Sequence, residues 1–201
     1  MLLPHHTAGR REAGCDEAGR GCLAGPVFAA AVVLPPGYDN PRLNDSKKLD
    51  EAARNALRRE IEADALAWAV ARCTVEEIDR INIFRASYRA MHRAIDRLAT
   101  PPDFLLIDGK FFVPHTTIDH LCVIKGDGKY QAIAAAGILA KTHRDEHLLK
   151  LHETFPQFGW NTNRGYPTRA HRTAIETHGA TIHHRKSFTL LPGGKQYALF
   201  R

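Results

Sequence analysis

Two adjacent carboxylates, Asp16 and Glu17, head the segment Asp-Glu-Ala-Gly-Arg-Gly. Carboxylate oxygens are hard donors that suit Mg²⁺ or Mn²⁺. Gly19 and Gly21 flank Arg20 directly after them. A glycine has no Cβ, so backbone N–H groups there can approach a ligand closely. Arg20 adds a permanent positive charge to the same turn. Oxygen donors for a cation beside amides and a guanidinium for a phosphate point to phosphodiester chemistry. Two further acids occupy comparable places: Asp108 closes the apolar run Asp103 to Asp108, and Asp127 lies between two glycines after another apolar run. Carboxylates brought within a few Å repel and raise one another's pKa, so a cluster of four persists with a cation. Two such ions about 4 Å apart activate a water and stabilise the leaving oxygen of an in-line displacement. Taken singly, Asp127 serves equally as a helix cap, and Asp108 and Glu17 serve equally as turn acids. The set of four carries the argument.

The elements around these acids read as an α/β chain. Residues 10–15 form a short strand leading into Asp16-Glu17, and the apolar run Pro26 to Leu34 is a buried strand closed by Pro35-Pro36-Gly37. Together they make a hairpin-like start. Asp45-Ser46 caps a helix carrying Leu49, Ala53, Leu57 and Ile61 at helical spacing. Leu66 to Cys73 returns to strand. Thr74 caps a second helical region, acidic in its first turn at Glu76 and Glu77, that runs to Ala99. Strands at 103–108 and from His120 follow, then a long helix from Tyr130. Short helices fall near Pro167–Gly179 and Ser187–Leu190. The three acidic groups thus stand at strand ends, where ligands gather in open α/β sheets.

The chain has 201 residues, 44% of them hydrophobic, which fits one domain spanning 1–201 with residues 156–201 as a basic helical extension. Residues 151–201 hold seven Lys/Arg against two acids, so +5 of the net +6 lies in the last quarter, with five histidines. A basic face beside an acidic site suits a polyanion. Charge alone serves equally well as a solvated surface. Four cysteines without a C-x-x-C pair read as buried free thiols. No apolar run approaches the roughly 18 residues of a membrane span, and the first residues lack a signal-peptide core, so a cytoplasmic monomer is expected.

At this point the residues match a family. The segments "GCDEAGRGCLAGPV", "LNDSKKL", "EEIDRINIFRASYRAM", "LLIDGK", "IKGDGKYQAIAAAGILAKTHRD", "NRGYPTRAH" and "HHRKSF" occur in that order between about residue 13 and 188. In this the chain resembles ribonuclease HII, the type 2 ribonuclease H. The resemblance implies a ribonuclease H-like fold, a central mixed β-sheet flanked by helices with a helical C-terminal segment. It implies an endoribonuclease that acts on RNA·DNA hybrids and nicks 5′ of ribonucleotides embedded in duplex DNA, leaving 5′-phosphate and 3′-hydroxyl ends with Mg²⁺ or Mn²⁺. By motif match, Asp16, Glu17, Asp108 and Asp127 are the catalytic and metal-binding carboxylates. Gly19, Arg20 and Gly21 read the ribose 2′-hydroxyl, the group that separates RNA from DNA. Tyr166 stacks at the ribo-to-deoxyribo junction. Lys47 and Lys48 stand where phosphate or plain solvent would meet them, and Arg185, Lys186 and Ser187 are expected as nucleic-acid backbone contacts.

The match has departures. The family usually reads Ala-Ala-Ser in the long helix where this chain has Ala135-Ala136-Gly137; a mid-helix glycine costs roughly 1 kcal/mol relative to alanine. Asp145 aligns with a family acid and reads as structural. His143 to His147 also fits the H-x-x-E-H pattern of inverted zinc peptidases. A module that binds nucleic acid without cutting it is the other rival. The C-terminal "LPGGKQYALF" reads as a fraying tail and identifies no clamp or repair partner.

Overall fold

The computed structural model describes residues 2–115 and 117–192. The C-terminal tail from Gly193 on therefore lies outside the described residues. Five strands form one sheet: β1 (Glu12–Ala18), β2 (Val27–Val33), β3 (Ala67–Cys73), β4 (Phe104–Asp108) and β5 (His120–Val123). Their order is β3-β2-β1-β4-β5. β1 and β2 pair antiparallel, as do β2 and β3, while β1–β4 and β4–β5 are parallel. The sheet is thus mixed, as the resemblance implies.

The unbroken apolar run of β2 follows from its place: all seven of its residues are buried, because helices cover both faces. On one face α2 (Val75–Ile95) packs Ala86, Ala90 and Met91 over Cys15, Val27, Ala29 and Ala31. On the other, α3 (Gln131–Thr154) packs Ala134, Ala135 and Ile138 over Ala30 and Val32. α3 lies close on β1 at two places, backbone to backbone at Gly14 and against the Asp16 carboxylate at Gly137. A Cβ on Gly14 would run into the backbone of Ala132 and Ile133, and a Cβ on Gly137 would stand 2.5 Å from Asp16 Oδ2. Glycine at these two positions is what lets α3 lie so near the strand.

Several boundaries differ from the sequence-based expectation. α1 (Glu51–Asp64) is capped by Asp50, whose side chain accepts from the Ala53 N–H at 2.7 Å, and not by Asp45-Ser46. Asp45 instead accepts from the Lys47 N–H at 2.9 Å, which folds the preceding residues into a turn. Thr74 does cap α2, in a reciprocal box with Glu77. α2 ends at Ile95 and breaks at Asn82, whose φ of 66° is left-handed. The Asn82 side chain accepts from the Arg85 N–H at 3.1 Å and restarts the helix. α3 begins after Tyr130 with no side-chain cap, so Asp127 does not cap it; Asp127 sits in a 3₁₀ turn over Gly126–Gly128.

After a 3₁₀ turn at Pro156–Phe158 come α4 (Trp160–Asn163) and α5 (Arg169–His178). Leu148, Phe158, Trp160, Ile175, Leu190 and Leu191 form a small core with Leu23 and Ala24, which seats this segment against the β1–β2 connection. Ser187–Leu190 is not helical. The Lys186 and Ser187 N–H groups donate to the Asp79 carboxylate at 3.0 and 2.9 Å, so this backbone is tied across to α2. All four cysteines are free, three of them buried. No described helix is long and apolar enough to cross a membrane.

Candidate active site

Asp16 and Glu17 lie within β1 and not beyond its end: they pair with Ala30 and Ala29 of β2. The strand outlasts its contact with β4, whose register with β1 runs to Cys15 opposite Ile107. One step further along stand Asp16 and Asp108. Successive side chains of a strand alternate faces, so Asp16 turns to the α3 side, against Gly137, and Glu17 to the other. Asp108 ends β4 and accepts from the Gly126 N–H at 2.7 Å. That bond draws the Gly126–Gly128 turn, and Asp127 with it, to the same end of the sheet.

The electrostatics tie the four acids together. Asp16 is 6% exposed. Burial first, then the charges of Glu17 and Asp108, hold its carboxyl well above the ordinary value, against a 2.7 Å hydrogen bond from the Glu17 N–H; Asp127 adds to the rise. Burial raises Glu17 too, and Arg20, 3.2 Å away, offsets part of it. Burial and then Asp108 raise Asp127. Burial works against the charge of Lys47, but Asp16, Asp45, Asp127 and Asp108 outweigh it and hold the ammonium above its ordinary value. Its Nζ stands 3.8 Å from Asp127 and 3.9 Å from Asp45. A buried acid facing several others is short of positive charge. Among the described residues no three His, Cys, Asp or Glu side chains close round one ion, the acidic site included. The donor set still fits a hard divalent cation: it is all oxygen, and Mg²⁺ keeps several waters and takes phosphate oxygens to complete its shell.

The turn beside the acids is held from behind. Gly19 has φ 98° and is buried against Arg144, while Arg20 and Gly21 are exposed and a Cβ on Gly21 would meet nothing within 4 Å. The sequence reading placed Arg185 on the nucleic-acid backbone; the structure corrects this. Arg185 is fully buried, and its guanidinium donates to the carbonyls of Arg20 (2.9 Å), Gly19 (2.8 Å) and Gly25 (2.9 and 3.0 Å). It is the buttress of the turn. Lys186 is exposed, and so is Lys48. Ser187 is spent on Asp79, with its hydroxyl 2.6 Å away.

Tyr166 lies across from the turn, 37% exposed, its ring below Arg144 Cζ at 5.4 Å and Lys141 Nζ at 5.7 Å. The Leu23 N–H donates to the Gly165 carbonyl at 2.8 Å, joining the loop of Tyr166 to the loop of the turn. Burial raises the Tyr166 phenol, and the Cys22 thiol adds to it. Asp145 does not join the acidic group: Lys141 Nζ (2.6 and 2.8 Å), Arg144 Nη1 (3.3 Å) and Arg164 Nε (3.9 Å) surround it. The peptidase pattern is taken apart in the same way. His143 faces Glu62 at 2.9 Å, Glu146 pairs with Arg58 and Lys150, and His147 lies beside Arg72 and Phe28.

Sequence reasoning missed Arg144, Arg185 as a buttress, and the His171–His184 pair. Arg185 is fixed by carbonyls about 160 residues away and Arg144 by the Arg164 carbonyl, while the two histidines are fixed by each other, the Tyr166 carbonyl and Trp160, contacts that residue type alone does not announce.

Two solved structures that share this fold are ribonucleases H. The ribonuclease H2 of Pyrococcus horikoshii OT3 superposes with a TM-score of 0.77 at 23% identity, over 90% of this chain and 94% of that one. The ribonuclease HII of Archaeoglobus fulgidus, solved in complex with PCNA, gives 0.74 at 27% identity, over 93% and 99%. The fold is ribonuclease H-like, and by the family and relatives it matches the chain is a ribonuclease H. A family model for ribonuclease HII matches residues 13–191. Ribonuclease HII of Parabacteroides distasonis is 59% identical over 192 residues, 96% of each chain, and that of Bacteroides fragilis is 59% identical over 195 residues, 97% of each. The chain belongs to the ribonuclease HII family, endoribonucleases that act on RNA·DNA hybrids.

Proposed function

We propose that this enzyme, beyond cutting RNA in hybrids, nicks on the 5′ side of a ribonucleotide embedded in duplex DNA and leaves 5′-phosphate and 3′-hydroxyl ends. The observation that carries the reading is continuity. The raised acids Asp16 and Glu17 and the exposed Arg20-Gly21 turn lie within six residues, and Arg185 holds that turn by its carbonyls. A turn whose carbonyls are tied inward keeps its other face for substrate.

The roles follow from chemistry. Asp16, Glu17, Asp108 and Asp127 would hold Mg²⁺ or Mn²⁺. Such a cation supplies neutralisation of the phosphate and a lower pKa for the attacking water. The Gly19–Gly21 backbone binds the 2′-hydroxyl, which both donates and accepts. Arg20 restrains Glu17 and neutralises the adjoining phosphate. The Tyr166 ring packs on the sugar or base next to the ribonucleotide. Lys47, Lys48 and Lys186 bind phosphates along the duplex. We place the enzyme in the cytoplasm as a one-domain monomer whose partner is nucleic acid.

The test is cleavage of a duplex with one embedded ribonucleotide, beside a full hybrid and an all-DNA duplex, with Mg²⁺, with Mn²⁺ and with EDTA. Cutting at the 5′ side of the ribonucleotide with either metal is expected, and mass spectrometry of the products reads the ends. Activity on the hybrid without activity on the embedded ribonucleotide would overturn the finer claim. No cutting of any substrate with either metal would remove the metal reading as well.

A further inference from the structure

The Gly19–Gly21 turn and Tyr166 come from opposite ends of the chain, and one segment, residues 183–185, connects to both. His184 bridges Ala24 in antiparallel fashion. The Gly25 N–H donates to the His183 carbonyl and the Arg185 N–H to the Leu23 carbonyl, each at 2.9 Å. Arg185 then reaches the carbonyls of the turn itself.

From the same segment the His184 ring turns inward, onto His171 of α5. Both residues are fully buried, and their Nε2 atoms lie 3.2 Å apart. The surroundings fix where each proton sits. The Thr181 N–H donates to His184 Nδ1 at 3.0 Å, so His184 carries its proton on Nε2, directed at His171. His171 Nδ1 lies 2.9 Å from the Tyr166 carbonyl oxygen, which can only accept, so His171 carries its proton on Nδ1. His171 Nε2 is then the acceptor for His184 and for the Trp160 indole N–H at 3.0 Å. Phe158 and Trp160 pack on the His184 ring at 4.8 and 5.5 Å between centroids and hold this orientation. The Leu23 N–H fixes the Gly165 carbonyl, and His171 fixes the next one along. Bonds within the loop give it its shape, the Tyr166 N–H to the Asn163 carbonyl at 2.9 Å and the Thr168 N–H to the Tyr166 carbonyl at 2.8 Å; Leu23 and His171 tie that shape to the β1–β2 connection and to residues 183–185.

We infer that His171 is a positioning residue: held by His184 and Trp160, its Nδ1–H fixes the Tyr166 main chain against the Gly19–Gly21 turn and so sets where the phenol ring meets the duplex. This rests on Tyr166 being the substrate-facing ring proposed above. His171 is buried and touches no substrate itself.

Two substitutions separate positioning from plain structural support. His171→Asn keeps a donor near the Nδ1 position, and His171→Gln keeps the outer contact but withdraws that donor. Each is made alone and with Tyr166→Ala, and kcat/KM is measured on the embedded-ribonucleotide duplex at a temperature where circular dichroism shows every variant folded. His171→Gln is expected to lower kcat/KM by roughly tenfold to a hundredfold, the effect of misplacing a contact group by about 1 Å. The fall in His171→Asn is smaller, and in the Tyr166→Ala background the Gln effect disappears. If His171→Gln does not fold, His184→Phe, which suits its aromatic surroundings and removes the N–H, carries the same cycle. Equal losses in Asn and Gln, or a loss that adds fully to Tyr166→Ala, overturn the inference while leaving Tyr166 as a substrate contact. A Tyr166→Ala enzyme with unchanged kcat/KM overturns that reading, and the inference with it.

Discussion

Replacing Asp16 by Asn should destroy cleavage and, in the absence of metal, make the protein more stable. The carboxylate is 6% exposed and is raised by burial and by Glu17, Asp108 and Asp127 in turn. The penalty for an uncompensated buried ion is still several kcal/mol after the surroundings relax. One hydrogen bond, from the Glu17 N–H, offsets part of it, and an Asn carbonyl still accepts that bond. The neutral amide also no longer repels Asp108 and Asp127. A net gain of about 1–3 kcal/mol is expected. For a chain of this size each kcal/mol moves Tm by about 2–4 °C, so Asp16→Asn should melt about 2–12 °C higher in EDTA at neutral pH. A carboxyl raised in the folded state favours folding below its ordinary pKa, and that advantage is lost as pH rises through the folded value. The gap between variant and parent should therefore narrow on acidification. Mn²⁺ should also narrow it, because an ion that binds only the folded parent stabilises it by mass action. Differential scanning calorimetry with EDTA and with Mn²⁺ reads all three effects. A variant that melts below its parent in EDTA would refute the reasoning, since it would mean that the four acids do not strain the fold.

Arg185→Ala removes the donor to the buried carbonyls of Gly19 and Gly25 and the part-buried one of Arg20, and each buried carbonyl left unpaired costs about 1–3 kcal/mol; urea unfolding should show a loss of several kcal/mol, while Arg185→Lys, a point charge without the fork, recovers part of it. Lys47→Ala should lower the slope of log affinity against log salt for duplex binding by about 1, as a lost phosphate contact does, and an unchanged slope would remove Lys47 from the duplex path. Burial pushes the His184 imidazole down to about 3. Its unfolded pKa is near ~6.5, so stability is complete above that pH and declines as pH falls toward the folded value, by up to about 1.4 kcal/mol per unit. Urea titrations of parent and His184→Phe at about pH 7 and about pH 5 should show a shallower acid loss in the variant, and identical losses would count against a neutral buried His184.

The parts of this protein that were legible in the sequence are those decided by local pattern. β2 declares itself as an apolar run because helices cover both its faces, and Thr74 with Glu77 writes the start of α2 as a reciprocal cap. The acids were found by type and spacing. Less legible was anything settled by distant backbone. Asp45, Ser46 and Asp50 are all plausible caps by residue type, and only the turn that Asp45 makes with Lys47 hands the role to Asp50. Arg185 reads as one more surface charge until the carbonyls of Gly19 and Gly25, about 160 residues away, are brought round it. Asp16-Glu17 read as the end of a strand over residues 10–15, whereas β2 continues to pair with both of them.

The contact of α3 with β1 through Gly14 and Gly137 makes the helix a ruler for the reacting end of the sheet. Side chains between two elements act as a cushion, because rotamers can absorb small errors in spacing. Here main chain rests nearly on main chain, and Asp16 touches the helix itself. A displacement of α3 toward the strand reaches the carboxylate undiminished. At this seam the tolerance of the enzyme is that of its backbone.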